Sequence, residues 1–221
     1  MEEVEIWLLG LVRDDPASAD LIASAIDLLH QEGPTLGRPF VDRIHGSRYH
    51  RMKELRPGST GHTEVRILFA FDPVQQAVLL VAGDKSGNWQ RWYHDNIKIA
   101  DDRYSEWLAG DRDREVSMAR KWEEVRADLL AAGLTEEGIA RGRSQLEDHL
   151  RAYLLAEVRK KQHVTQVEMA RRLGVGQPRI SQIERGDLDR AELATLRGYV
   201  EALGGQLEVS ATFGEERLRI A

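Results

Sequence analysis

The 221-residue chain contains no cysteine, which excludes disulfides, thiolate metal sites and a cysteine nucleophile and is compatible with a reducing compartment. It has no apolar run of membrane-spanning length, and no membrane partner is expected. The opening segment MEEVEIWLLG begins with acid rather than lysine or arginine, and its apolar stretch is too short for a signal peptide, so a cytoplasmic protein is expected. Nucleotide-binding loops and catalytic-triad motifs are also missing, and the seven histidines show no close pairing at ligand spacing. Neither a metal nor a cofactor is expected.

Net positive charge is absent as well: the formal charge is −6, which argues against a generic nucleic-acid binder. The average conceals two basic stretches. Residues 38–98 hold 10 Lys/Arg against 6 Asp/Glu, and residues 159–190 hold 8 against 4, so any contact with phosphate belongs to these stretches. An apolar fraction of 42% with 31% charged residues describes a folding globular chain, long enough for two domains of roughly 100 residues.

The clearest boundary is Gly110-Asp-Arg-Asp-Arg-Glu-Val-Ser117, polar and without periodicity, which predicts a linker over 111–117 between domains 1–110 and 118–221. In the first domain the pattern predicts a strand at Val4–Leu9 and a helix at Ala17–His30 with Leu21, Ile22, Ala25, Ile26 and Leu29 on one face. Strands at Tyr49–Leu55, Val65–Phe71 and Ala77–Ala82 and a closing helix at Tyr93–Leu108 follow. The second domain reads as mostly helical. Met118, Trp122, Val125 and Leu129 form one stripe, Leu146, Leu150, Tyr153, Leu154 and Val158 a second, and Leu193 to Leu203 a third, before an alternating strand at Leu207–Phe213. The fold class is α+β: a small antiparallel sheet with helices, then a helical domain ending in a strand or hairpin.

Residues 164–190 carry the most specific pattern. Thr165 can cap a helix whose Met169, Ala170 and Leu173 face inward, Gly174 supplies a turn, and Pro178 suits the start of a second helix anchored by Ile180 and Ile183. The opposite face presents Gln177, Arg179, Ser181 and Gln182 as base readers. Gln166 is expected to reach a phosphate, with Arg171, Arg172 and Arg185 as electrostatic support. A solvated helical hairpin is the bland alternative. The motif TQ…A…LGV…Q…IS..E.G resembles the Cro/XRE repressors over roughly residues 150–205. That resemblance implies binding of palindromic operator DNA by a homodimer formed through this domain. Leu207–Phe213 could pair with its twin, or with Arg217–Ile220 of its own chain.

In the first domain Arg66 projects from a central-looking strand, and from spacing alone an ion pair with Glu54 is the readier explanation. Met52-Lys-Glu-Leu-Arg56, Glu64-Val-Arg-Ile-Leu-Phe69 and Leu80-Val-Ala-Gly-Asp-Lys85 resemble the RelE/HigB toxins, in the phage-derived HigB-like branch, over roughly residues 4–108. That superfamily consists of small ribonucleases that cut messenger RNA on the ribosome without metal. Attack by a 2′-hydroxyl needs a base, cations on the phosphate and a proton donor for the leaving oxygen. The resemblance implies Arg66 as phosphate clamp, Arg56 and Lys85 as further charge, Glu54 as base, and Tyr93 or His94 as donor. RelE-type enzymes often have a basic residue where Glu54 stands, a departure of this chain. Trp89 and Trp92 can stack on bases or be core, and His94 can be a surface residue.

Toxins and antitoxins of these kinds resemble products of neighbouring genes that bind each other, and here both patterns lie in one chain. The combined expectation is a silenced endoribonuclease fused to an autorepressing antitoxin, with helices in Met118–Val158 covering the toxin. The competing expectation is a regulator whose first domain is an inactive protein-binding module. An exposed cluster of Arg56, Arg66 and Lys85 favours the nuclease; burial of these side chains against Glu54 favours the scaffold.

Overall fold

Glu2, Glu3 and Glu5 place three carboxylates in the first turn of helix α1 (Glu2–Asp14), where they face the positive end of the helix dipole. A strand expected at Val4–Leu9 is thus a helix instead. Its buried residues are Val4, Leu8 and Val12; a strand would bury Ile6 on the same face as Val4 and Leu8, but Ile6 is 60% exposed, as a helix turns it away. The computed structural model describes residues 2–58, 63–109, 120–186 and 192–220. These form two compact units, 1–146 and 147–221.

Helix α2 (Pro16–Glu32) begins as its sequence suggests: the Asp15 side chain accepts from the Ser18 amide, Pro16 opens the first turn and Gly33 ends it with φ +56°. Leu21, Ile22, Ala25, Ile26 and Leu29 are all buried, and α1 packs against this helix. Strands β1 (Val41–Arg43), β2 (Lys53–Leu55), β3 (Val65–Phe71) and β4 (Ala77–Asp84) then form an antiparallel meander in the order β1-β2-β3-β4. The strand expected over Tyr49–Leu55 is shorter, and β1 gave no periodic signal because three residues are too few to show one. Helix α3 (Trp89–Ala109) starts four residues before its expected beginning and closes one core with Met52, Leu68, Ala70, Val78 and Leu80 through Ala100 and Tyr104. On the other face of β3, Val65, Ile67, Phe69 and Phe71 are buried too, so this strand is covered on both sides.

The first unit does not stop at the toxin-like segment. Helix α4 (Trp122–Ala131) and the first turns of α5 (Glu136–Lys161) belong to it, so the packing boundary lies some thirty residues beyond the boundary expected from composition. The expected linker 111–117, with Met118, lies outside the described residues. In the second unit, α6 (Gln166–Leu173), α7 (Gln177–Ile183) and α8 (Leu193–Ala202) enclose Met169, Ala170, Ile180, Ile183 and Tyr199. Residues 187–190 of the motif lie outside the described residues.

Two details of the second unit depart from expectation. Of the stripe expected on α5, Leu146 is buried but Leu154 and Val158 are 53% and 45% exposed, and Ala152, Ala156 and Arg159 are buried instead; two alanines and an arginine carry no apolar period. The terminal strand is shorter than Leu207–Phe213: β5 (Ser210–Phe213) pairs with β6 (Glu216–Arg219) in a hairpin. That is the intrachain alternative of the two pairings expected.

Candidate functional site

The meander brings the toxin-like candidates together by register. Glu54 on β2 faces Leu68 on β3, and its carboxylate, only 2% exposed, lies at the centre of a cluster of donors. The Arg56 Nε donates to Oε1 at 2.7 Å, and the Tyr93 hydroxyl donates to Oε2. Arg66 Nε stands 3.8 Å from Oε2, too far for a hydrogen bond. That Nε is buried without a hydrogen-bond partner, while Nη1 of Arg66 donates to the Val65 carbonyl at 2.6 Å. Arg56 also reaches Asp42 at 2.9 Å.

Lys85 joins from the end of β4. Asp84 holds the following turn by accepting from the Glu64 and Ser86 amides, each at 2.8 Å, and Lys85 pairs with Glu64 at 2.8 Å while lying 5.9 Å from the Tyr93 ring centroid. Burial, then the hydrogen bond to Glu54, pushes the Tyr93 phenol up to about 12, so it keeps its proton at neutral pH. The guanidinium and ammonium groups are thus gathered but occupied. Arg66 and Lys85 are each 16% exposed and Arg56 36%, each beside a carboxylate. Trp92 packs in the core, edge-on to Tyr93 at 5.2 Å. Trp89, for which a core position is one expectation, is 55% exposed, and His94 is exposed.

The helix-turn-helix follows its sequence residue by residue. Thr165 accepts from the Glu168 amide at 3.1 Å, Gly174 takes φ +66°, where a side chain would be strained, and Pro178 stands in the first turn of α7. Gln177, Gln182 and Arg185 are exposed, and Arg179, Ser181 and Gln166 are partly so. Beneath them Glu184, to which sequence reasoning gave no role, is enclosed. Arg159 binds it in bidentate fashion at 2.6 and 2.8 Å, Tyr199 donates to it at 2.7 Å and Gln166 at 2.9 Å. Gln177 in turn donates to Gln166 at 2.7 Å. Gln166, expected at a phosphate, therefore links a buried ion pair to a base-reader candidate. Burial pushes the Glu184 carboxyl up, but hydrogen bonds from Arg159, Gln166 and Tyr199 hold it below its ordinary value. Its visible signal was no more than an acid beside Arg185 in a stretch with twice as many bases as acids.

A third constellation joins the antitoxin-like helices to α2. Ser24 Oγ, fully buried, lies 2.7 Å from both the Asp20 and Ile139 carbonyls. Trp122 Nε1 donates to Asp27 at 2.5 Å, Arg126 bridges Asp27 and Glu136, Arg141 reaches Asp20 at 3.4 Å and Arg143 reaches Gln31 at 3.0 Å. Gly138 and Gly142, one turn apart, let α5 approach. A Cβ on Gly138 would run into the Asp20 carboxylate, and one on Gly142 into Ser24 Oγ and, at 2.8 Å, the Asp20 carbonyl oxygen. Glycine inside a helix costs about 1 kcal/mol relative to alanine, so two of them one turn apart were the missed sign of a close crossing. Among the described residues, no group of three or more acidic or histidine side chains is placed to hold a metal ion, and no helix is long and apolar enough to cross a membrane.

Residues 11–105 match the family described as phage derived protein Gp49-like, and residues 134–212 match a helix-turn-helix domain family. The chain is 56% identical over 111 residues to the toxin HigB3 of Mycobacterium tuberculosis, covering 50% of this chain and 92% of that protein. It is 42% identical over 107 residues to the antitoxin HigA3 of the same organism, covering 48% and 98%. Among solved structures, DNA bound antitoxin HigA3 is similar at 46% identity, covering 30% of this chain and 86% of that chain with a TM-score of 0.27.

Proposed function

The chain belongs to the Gp49-like, HigB-type toxin family through its first half and to the helix-turn-helix antitoxins through its second, and from that premise we propose that it is a toxin–antitoxin fusion that silences itself. In this reading the first half is a ribosome-dependent messenger-RNA endonuclease. The second half holds it inactive, binds palindromic operator DNA as a dimer and represses its own transcription. The observation that carries the reading is the clasp: residues 120–146, on the antitoxin-like side, fold into the same compact unit as the toxin-like domain and close on α2.

For the chemistry, Arg66, Arg56 and Lys85 supply positive charge for a phosphate whose negative charge grows in the transition state. The unused Nε of Arg66 is the donor that gains a partner when an oxyanion arrives. Glu54 has no exposed face and already accepts from Tyr93 and Arg56. We therefore assign it as a positioning residue for those groups rather than as the base for the 2′-hydroxyl. Tyr93, which keeps its proton, is the donor available to a leaving oxygen. In the second half, Gln177, Arg179, Ser181 and Gln182 read base edges and Arg185 adds phosphate contact.

A specific observation favours the scaffold reading as well: the three cations are paired and largely enclosed. One experiment separates the two. The full chain carrying Gly142→Leu, its clasp opened, is expected to arrest growth and to cleave messenger RNA on purified ribosomes, and adding Arg66→Ala is expected to abolish both. A folded Gly142→Leu chain that cleaves nothing would leave the scaffold reading standing.

A further inference from the structure

The clasp joins two surfaces that are each complete without the covalent joint. The receptor is one face of α2, where Asp20, Ser24 and Asp27 recur at helical spacing. Ser24 lies 2.7 Å from the carbonyl of Asp20 in its own helix, so the hydroxyl keeps an acceptor when α5 is absent. The ligand is one face of α5: Gly138, Ile139 and Gly142 are buried at the crossing, with Arg141 against Asp20 and Arg143 against Gln31 at its margin. The receptor lies within residues 11–105 and the glycine step within 134–212, so the crossing bridges two family domains rather than closing one.

We propose that α2 accepts this helix in trans, from a second copy of the chain, and that Gly142 is the residue that decides whether a helix is admitted. The two glycines differ in what they face. A Cβ at Gly138 meets the mobile end of the Asp20 side chain, which can turn aside. A Cβ at Gly142 meets the Asp20 backbone carbonyl at 2.8 Å, which cannot move without unwinding α2. Charge selects as well, since the Asp20 carboxylate on α2 faces the Arg141 guanidinium on the incoming helix at 3.4 Å. The proposal rests on the functional reading above only in treating the chain as a toxin–antitoxin fusion.

The test uses two full-length chains. The first carries Gly142→Leu and keeps its receptor. The second carries Ser24→Leu and Arg66→Ala, which block its receptor and its toxin cluster and leave its α5 unchanged. Hydrogen exchange of α2 in an isotope-labelled first chain is read alone and with an equimolar second chain. Exchange is expected to be at least tenfold faster alone and to slow again on mixing. Mixing with a second chain that also carries Gly142→Leu is expected to change nothing, which separates the clasp from dimer contacts made elsewhere. Slowing by that control overturns the proposal. So does no slowing by the clasp-competent chain while α6 to α8 stay protected in both. Gly142→Ala, expected to weaken the clasp more than Gly138→Ala, repeats the test if the leucine variant unfolds. Restored protection without any effect on growth counts against the nuclease reading and leaves the receptor intact.

Discussion

Two buried glutamates organise the two halves, and they do so with different remainders. Glu184 and Glu54 each accept from an arginine and from a tyrosine hydroxyl. At Glu184 the arginine is consumed: Arg159 is 6% exposed, bidentate on the carboxylate and bonded also to the Val164 carbonyl, while the exposed Gln177 is joined to it only through Gln166. At Glu54 the cations that the family resemblance assigns to chemistry are themselves the partners, and Arg66 retains a buried Nε with nothing to bond. A fully satisfied network rigidifies what it supports, whereas a donor left unsatisfied in a buried cluster costs free energy for as long as it lacks a partner. The difference teaches that the same pair of residue types serves as a foundation in one half and as held charge in the other.

Breaking the foundation has the largest expected effect. Glu184→Ala leaves Arg159 buried without its counter-ion and is expected to cost about 3–5 kcal/mol, measured as a loss in the denaturation of the second unit. Destabilisation no larger than an exposed ion pair gives, below about 1 kcal/mol, would erase the contrast. Next, Arg179→Ala is expected to weaken operator binding by about 1–3 kcal/mol with the fold intact, measured by titrating labelled DNA; an equal loss on all sequences reassigns Arg179 to phosphate. Glu54→Gln is expected to lower the Tyr93 ionisation from about 12 toward its ordinary value, read by the ultraviolet absorbance of phenolate. The smallest effect is expected from Trp89→Ala, within about 0.5 kcal/mol of the parent stability, because the ring is 55% exposed.

The same comparison predicts opposite responses to pH. Glu184 ionises below its ordinary value in the folded chain, so its contribution is present above the ordinary carboxylate range and is lost as pH falls through the depressed value. Tyr93 ionises above its ordinary value, so its contribution is complete below about pH 10 and is lost as pH rises through about 12. Acid unfolding of the second unit is expected to shift to lower sensitivity in Glu184→Gln, and alkaline unfolding of the first in Tyr93→Phe. A pH profile unchanged by either substitution removes these groups from the balance.

Much of the second unit was legible from residues alone, because a helix-turn-helix is encoded over two dozen contiguous positions. The cap at Thr165, the turn at Gly174 and the inward Ile180 and Ile183 all depend on local spacing. The first unit was less legible. Its sheet includes strands of three residues, shorter than any period can reveal. Its first helix carries adjacent leucines that imitate a strand. Glu54, Arg56, Arg66, Lys85 and Tyr93 could be nominated by resemblance, but their mutual occupation came only from the register of β2 on β3 and the placement of α3.

Sequence alone determined the two-part identity of the chain, the recognition motif and the chemical types of the candidate residues, since these follow from short-range pattern and from similarity of contiguous stretches. Tertiary structure decided which acids quench which cations, that Glu184 underlies the polar face of α7, and that α4 and the start of α5 close on α2. These are contacts between residues such as Ser24 and Ile139 or Asp27 and Trp122, far apart in the chain. No local period records such pairs: a hydroxyl or a glycine carries no mark of its partner until another helix lies within van der Waals reach.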